Sequence, residues 1–368
     1  MNPEPPYNLT FTDSTVTRED YDAMTAALTE LLTRAQVKAC FYDLGRRPYP
    51  LSLVTFGVLE NQQRPYPYPL RGQAHLALCC QRPSESEPSI WFLQINLDER
   101  GLLIPEECAR FARLLLNTLG ADLSREPHTE EEKNALAQHP QHWQPSPERM
   151  AMFHALLARD LHQPASRYYE HAQFYLSGKA GWENWHGVGL QGLADVVVRC
   201  GQEQNHALLC QALAHAPEQA LQGICLCLEQ SDISREMAQV LLQRQHLQHQ
   251  NPEADTESRL LLLRALAYAP DLPEIRDFIT QQLRQADVNA WLIVLTARLI
   301  HRLSDPQILP VYLEALAGSP LFGRLYPEVI TQPFLRSQIF AMLQSESAPR
   351  ALIDALTALQ QQLQLRAE

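Results

Sequence analysis

AHLALCCQ (Ala74 to Gln81) and SIWFLQINLDERGLL (Ser89 to Leu103) are the stretches whose reading decides how the first third of this chain folds. Each opens on an apolar run too short for an ordinary helix. The polar PSESEP between them predicts an antiparallel hairpin. Upstream, FYDLGRR (Phe41 to Arg47) ends a third strand that runs from Val37 to Leu44, and Ser52 to Glu60 reads as a short helix or turn. Pro65, Pro67 and Pro69 cannot donate ladder hydrogen bonds, so PYPYPL (Pro65 to Leu70) suits a sheet edge or a connecting arm.

Helices flank these strands. Pro105 opens one at a position that needs no amide proton; Cys108, Phe111, Leu114, Leu115 and Leu119 form its stripe, and Gly120 ends it. Before the strands, Thr17 is placed to cap a helix carrying Tyr21, Met24, Leu28, Leu31 and Leu32 at helical spacing. The expectation is an α+β domain over 18–120, a small antiparallel sheet with flanking helices, preceded by a flexible arm over 1–17.

From 121 to 147 the composition turns to His, Glu, Gln and Pro, which reads as a linker. Beyond it strand signals stop and helical blocks alternate with Pro, Gly and Asp breaks, so 148–368 is expected to be all-α. Asp271 begins DLPEIRDFITQQL and Asp305 begins DPQILPVYLEAL, each after an apolar helix. A lone helix pair cannot bury its own apolar face, so a repeat of this kind implies stacking. The turn Asp271 followed by Ile275 and Arg276 resembles a HEAT repeat; Asp305 and Ile308 match that pattern in part, and the implied architecture is a HEAT-like solenoid.

Charge and composition exclude several classes. With 30 Lys plus Arg against 42 Asp plus Glu, the net charge of -12 repels nucleic acid and anionic lipid. The start of the chain lacks a secretory pattern, and no apolar run is long enough to span a bilayer, which predicts a cytoplasmic protein without a membrane role. The eight cysteines lie inside apolar runs without a CxxC, as reduced core residues do. No phosphate-cradle, nucleophile-elbow or HExxH pattern occurs. Catalytic, cofactor and metal residues are therefore all expected to be absent.

The candidate interaction residues are Arg46, Arg47, Tyr66, Tyr68, Asp98, Glu99, Arg100, Trp182 and Trp185. Arg46 and Arg47 suit a carboxylate or phosphate, and the tyrosines beside them supply flat contact surface or cover a sheet edge. Asp98, Glu99 and Arg100 end a strand where polar groups reach solvent, either to bind or to pair among themselves. Trp182 and Trp185 lie in KAGWENWHGVG (Lys179 to Gly189), the densest aromatic turn, which suits packing or interaction.

FYDLGRR, PYPYPL and IWFLQINLDERGLL together resemble the signature stretches of a γ-proteobacterial family known as domain of unknown function 3549. The resemblance implies a bacterial protein of about this length and carries no activity or ligand. The functional expectation is a non-enzymatic adaptor or scaffold binding a protein partner, one with basic segments given the acidic chain. The alternative is an enzyme or small-ligand sensor with a site in the cleft between the α+β domain and the first solenoid helices, lined by Arg46, Arg47, Asp98, Glu99, Trp182 and Trp185.

Overall fold

Alternating side chains on the N-terminal strands build two separate cores. The computed structural model describes residues 27–81, 88–120, 122–123, 127, 129–202, 204–250, 255–345 and 349–367. Strands β1 (Lys38–Asp43), β2 (Tyr49–Leu51), β3 (Gln73–Gln81) and β4 (Ser89–Asn96) form an antiparallel sheet in the order β2-β1-β3-β4. The register pairs Phe41 with Leu78 and Leu78 with Trp91. Because successive residues face opposite sides, Phe41, Leu76, Leu78, Cys80, Leu93 and Ile95 enter one core, while Tyr42, Ala77 and Cys79 enter the other. Both faces are covered, which explains strands that read as unbroken apolar runs.

The first core is closed by α1 (Leu28–Arg34), α2 (Leu53–Glu60) and α3 (Pro105–Leu119). Ser52 caps α2 by accepting from the Thr55 amide at 3.0 Å. Glu60, at the end of α2, accepts from the Leu28 amide at 2.6 Å and the Thr29 amide at 3.0 Å, placing a negative charge on the positive end of α1. The predicted cap at Thr17 and the PSESEP turn fall largely outside the described residues.

In the 121–147 stretch, α4 (Glu130–Ala137) is followed by a segment that runs along β4, with a bridge between Leu93 and His142. The second core is closed from below by α5 (Pro147–Asp160), whose Phe153 meets the edges of Tyr42 and Phe92 at ring separations of 5.4 and 5.7 Å. Tyr42 also donates to Asp160 at 3.0 Å.

The rest is helical. After α5 come α6 (Tyr169–Leu176), a 3₁₀ turn (Trp182–Gly187), α7 (Leu190–Val198), α8 (Asn205–His215), α9 (Glu218–Leu228), α10 (Arg235–Gln250) and α11 (Thr256–Ala265). Then follow α12 (Pro273–Leu283), α13 (Asn289–Ala297), a 3₁₀ turn (Ile300–Ser304), α14 (Ile308–Ala317), α15 (Phe322–Ile330), α16 (Pro333–Leu343) and α17 (Arg350–Ala367). Helix α5 packs on α7, α7 on α9, α9 on α11, α11 on α13 and α13 on α15. On the other side α6 meets α8, α8 meets α10, α12 meets α14 and α14 meets α17. Gly192 on α7 is required by close approach, since a Cβ there would lie 2.6 Å from the Tyr168 carbonyl oxygen. Among the described residues no helix is long and apolar enough to cross a membrane.

Candidate functional site

The β1–β2 loop carries Arg46 and Arg47 out of the sheet and into the far part of the helical array. Arg46 is 8% exposed. Its Nη1 donates to the carbonyls of Thr296 (3.1 Å) and Ala297 (3.0 Å), and its Nη2 donates to the Pro69 carbonyl (3.1 Å) and to Glu328 (2.6 Å). Burial lowers its pKa from the usual arginine value and Glu328 opposes that shift, so the ion pair is what keeps a charge tolerable there. Glu328 also accepts from the Arg71 amide at 2.9 Å, and Gln332 donates to the Pro69 carbonyl at 3.2 Å. These bonds join the loops around β1 and β3 to α13, α15 and α16.

Arg47 behaves differently. Its guanidinium lies 3.9 Å above the Tyr268 ring and 5.4 Å from Tyr49, with Nη1 2.7 Å from Asp232. The Arg47 side chain is mostly covered and the Asp232 side chain is 81% exposed. Tyr268 in turn stacks on His301 at 4.5 Å, and His301 bonds the Ala267 carbonyl at 2.6 Å. Burial pushes the His301 imidazole down to about 4, so it is neutral and donates that bond at physiological pH.

Between these elements lies a cleft of about 420 Å³, lined by Asp43, Arg46, Arg47, Tyr49, Pro67, Tyr68, Tyr268, Ile300, His301, Ser304, Gln332 and Phe334. Asp43 is 1% exposed and accepts from the Tyr66 hydroxyl. Burial raises its carboxyl to about 7, with Tyr66 and the nearby Arg149 pulling the other way. Arg149 is itself buried, and its Nη1 meets no acceptor among the described residues. The arrangement is an aromatic cleft with two guanidinium groups and a carboxyl that titrates near neutrality.

Of the nine residues expected from sequence, Arg46, Arg47 and Tyr68 line this cleft, and Tyr66 lies beneath it against Asp43. The others stand apart. Asp98 caps its own turn, accepting from the amides of Arg100 and Leu102 at 2.8 Å each, and pairs with the Arg100 guanidinium at 2.9 Å. Glu99 is exposed and contributes a backbone carbonyl to Arg336 at 3.3 Å. Trp182 meets the edge of Tyr175 and Trp185 stacks on His186; both pack against the helical core.

The helical wall of the cleft is therefore late in the chain. It comes from the stretch after α11, the second 3₁₀ turn and α16, not from the first helices, because the carbonyls and the acid that satisfy Arg46 are on α13 and α15. Tyr268, His301 and Phe334 carry no motif that would have singled them out. The available signal was indirect: Tyr268 and His301 stand at the ends of two successive apolar helical blocks.

Comparison with curated proteins and with solved structures returned no match. Residues 24–360 match the model of the family described as protein of unknown function (DUF3549), and the chain belongs to that family.

Proposed function

We propose that this protein is a non-enzymatic adaptor that holds a protein partner in the cleft between the β1–β2 loop and the later helices, with a HEAT-like solenoid as its frame. Cross-links at one-repeat separation support the frame. Asn205 bonds Tyr169 36 positions earlier, Gln211 bonds Ser177 34 earlier, Arg264 bonds Glu229 35 earlier, and His301 bonds Ala267 34 earlier. Arg276 sits between both turn aspartates, 2.6 Å from Asp305 and 3.6 Å from Asp271. Partners recurring at this interval are what stacked helix pairs produce.

The observation that carries the binding role is Arg47, held over Tyr268 yet paired with an exposed Asp232. An exposed ion pair is worth little, so an incoming carboxylate displaces Asp232 at small cost and gains a guanidinium already oriented by two aromatic rings. The partner segment is then one with a carboxylate anchor in the cleft and basic flanks that suit a chain of net charge -12.

Affinity purification at native expression and moderate salt, followed by peptide scanning of the retained partner, tests this. Arg47→Glu is expected to abolish retention, while Asp232→Asn strengthens it. A partner retained equally by the wild type and both variants overturns the assignment. A small-ligand site is the second reading, favoured by Asp43 in the cleft wall with Tyr66 behind it; a metabolite that raises the melting temperature of the wild type and not of Asp43→Asn would support it.

A further inference from the structure

His206 and Cys210 stand one turn apart on the same face of α8, and Glu236 reaches toward them from the first turn of α10. Cys210 Sγ is 4.0 Å from His206 Nε2, and Glu236 Oε2 is 3.8 Å from His206 Nδ1. The three donor atoms lie within 4.8 Å of one another. Around a tetrahedral ion with bonds of about 2.0–2.3 Å, neighbouring donors are roughly 3.4–3.6 Å apart. An imidazole ligates through one nitrogen; with Nε2 turned to Ser234, Nδ1 is the ligating atom, and its 3.8 Å separation from Glu236 is already within about half an ångström of that spacing. Cys210 approaches the other ring nitrogen, so its thiol must turn toward the ion for the site to close.

We propose that His206, Cys210 and Glu236 form a binding site for a borderline divalent cation of the zinc class, with its remaining position open to solvent. The chemistry of the donors selects this class: a thiolate and an imidazole disfavour magnesium and calcium, which take oxygen. The freedom needed for closure is present, because the Glu236 side chain is 69% exposed and swings without disturbing the core. Ser234 contributes position. Its hydroxyl lies 2.7 Å from His206 Nε2 and accepts from the Met237 amide at 3.1 Å, so the imidazole is held by the same residue that starts α10.

The ligands bridge α8 and α10, helices that pack directly on one another. A bound cation cross-links them, and the thiol proton is released on binding. The site is separate from the cleft, since none of its ligands lines it.

Cobalt(II) titration of the full, reduced chain tests the proposal, because a thiolate ligand gives a sulfur-to-cobalt charge-transfer band in the near ultraviolet. The wild type is expected to show that band at one equivalent, with tetrahedral visible bands, and zinc is expected to displace it. Cys210→Ser removes the charge-transfer band and the zinc-dependent rise in melting temperature; His206→Gln weakens binding about tenfold or more. Circular dichroism checks that both variants fold. Cys200→Ser serves as the control and keeps the band. A wild type without the band, a band unchanged in Cys210→Ser, or one lost only in Cys200→Ser overturns the assignment.

Discussion

Arg46 and Glu328 are 282 positions apart in the chain and 2.6 Å apart in space. Their pair, both members largely buried, is one of the bonds that fasten the sheet to the far helices. Arg46→Met leaves Glu328 without its cation and is expected to destabilise the fold by about 3–5 kcal/mol, read by urea denaturation. The double variant Arg46→Met/Glu328→Gln recovers part of that loss, because no uncompensated charge remains. A single variant as stable as the wild type would show that the sheet and the helical array hold together without this bond.

The pH dependence of stability should carry opposing contributions from Asp43 and His75, which are buried, and His301, which is half-buried. Asp43, raised to about 7, binds more protons folded than unfolded, so its contribution falls as pH rises from about 4 to about 7. His75 and His301, both pushed down to about 4 chiefly by burial, bind fewer protons folded than unfolded, so their contributions rise between pH ~4 and ~6.5. Asp43→Asn is expected to steepen the rise in stability over that window, and His301→Gln to flatten it. Denaturation midpoints at a series of pH values check both directions.

Gly192→Ala forces α6 and α7 apart, because the added carbon meets the Tyr168 backbone and the Ala172 side chain, at 2.6 and 3.0 Å. A loss of about 1–3 kcal/mol is expected. Gly189→Ala, where an added carbon meets nothing within 4 Å, is the matched control for a thermal melt.

Asp232→Asn is expected to leave the melting temperature unchanged, since the exposed carboxylate contributes little to the fold even though it touches Arg47. A clear drop would mean that Arg47 needs Asp232 for its own placement, and the Tyr268 ring would then be a weaker support than its 3.9 Å contact suggests.

The hairpin and the helix after it were legible because their signals are local. Short apolar runs bounded by a polar turn, and Pro105 at a helix start, do not depend on distant residues. Strand β2 was not legible: Tyr49-Pro50-Leu51 is three residues long with a central proline, and it exists only because β1 offers it an edge. The cleft divides the same way. Arg46 and Arg47 stand out as a doublet, but the acids they pair with and two of the carbonyls that Arg46 bonds lie 185 to 282 positions away. Trp182 and Trp185 form a dense aromatic turn in the sequence, and both are half-buried and pack against the helical core.

The distance along the chain between Arg46 and its acceptors also sets an order of events during synthesis. The β1–β2 loop emerges 250 residues before Thr296, which at about 5–20 residues per second is a delay of roughly 10–50 s. Until then its two arginines remain in water, and the walls of the cleft do not yet exist. A nascent chain therefore carries the loop before it has the cleft, and the proposed site is complete only when the later helices close over the loop.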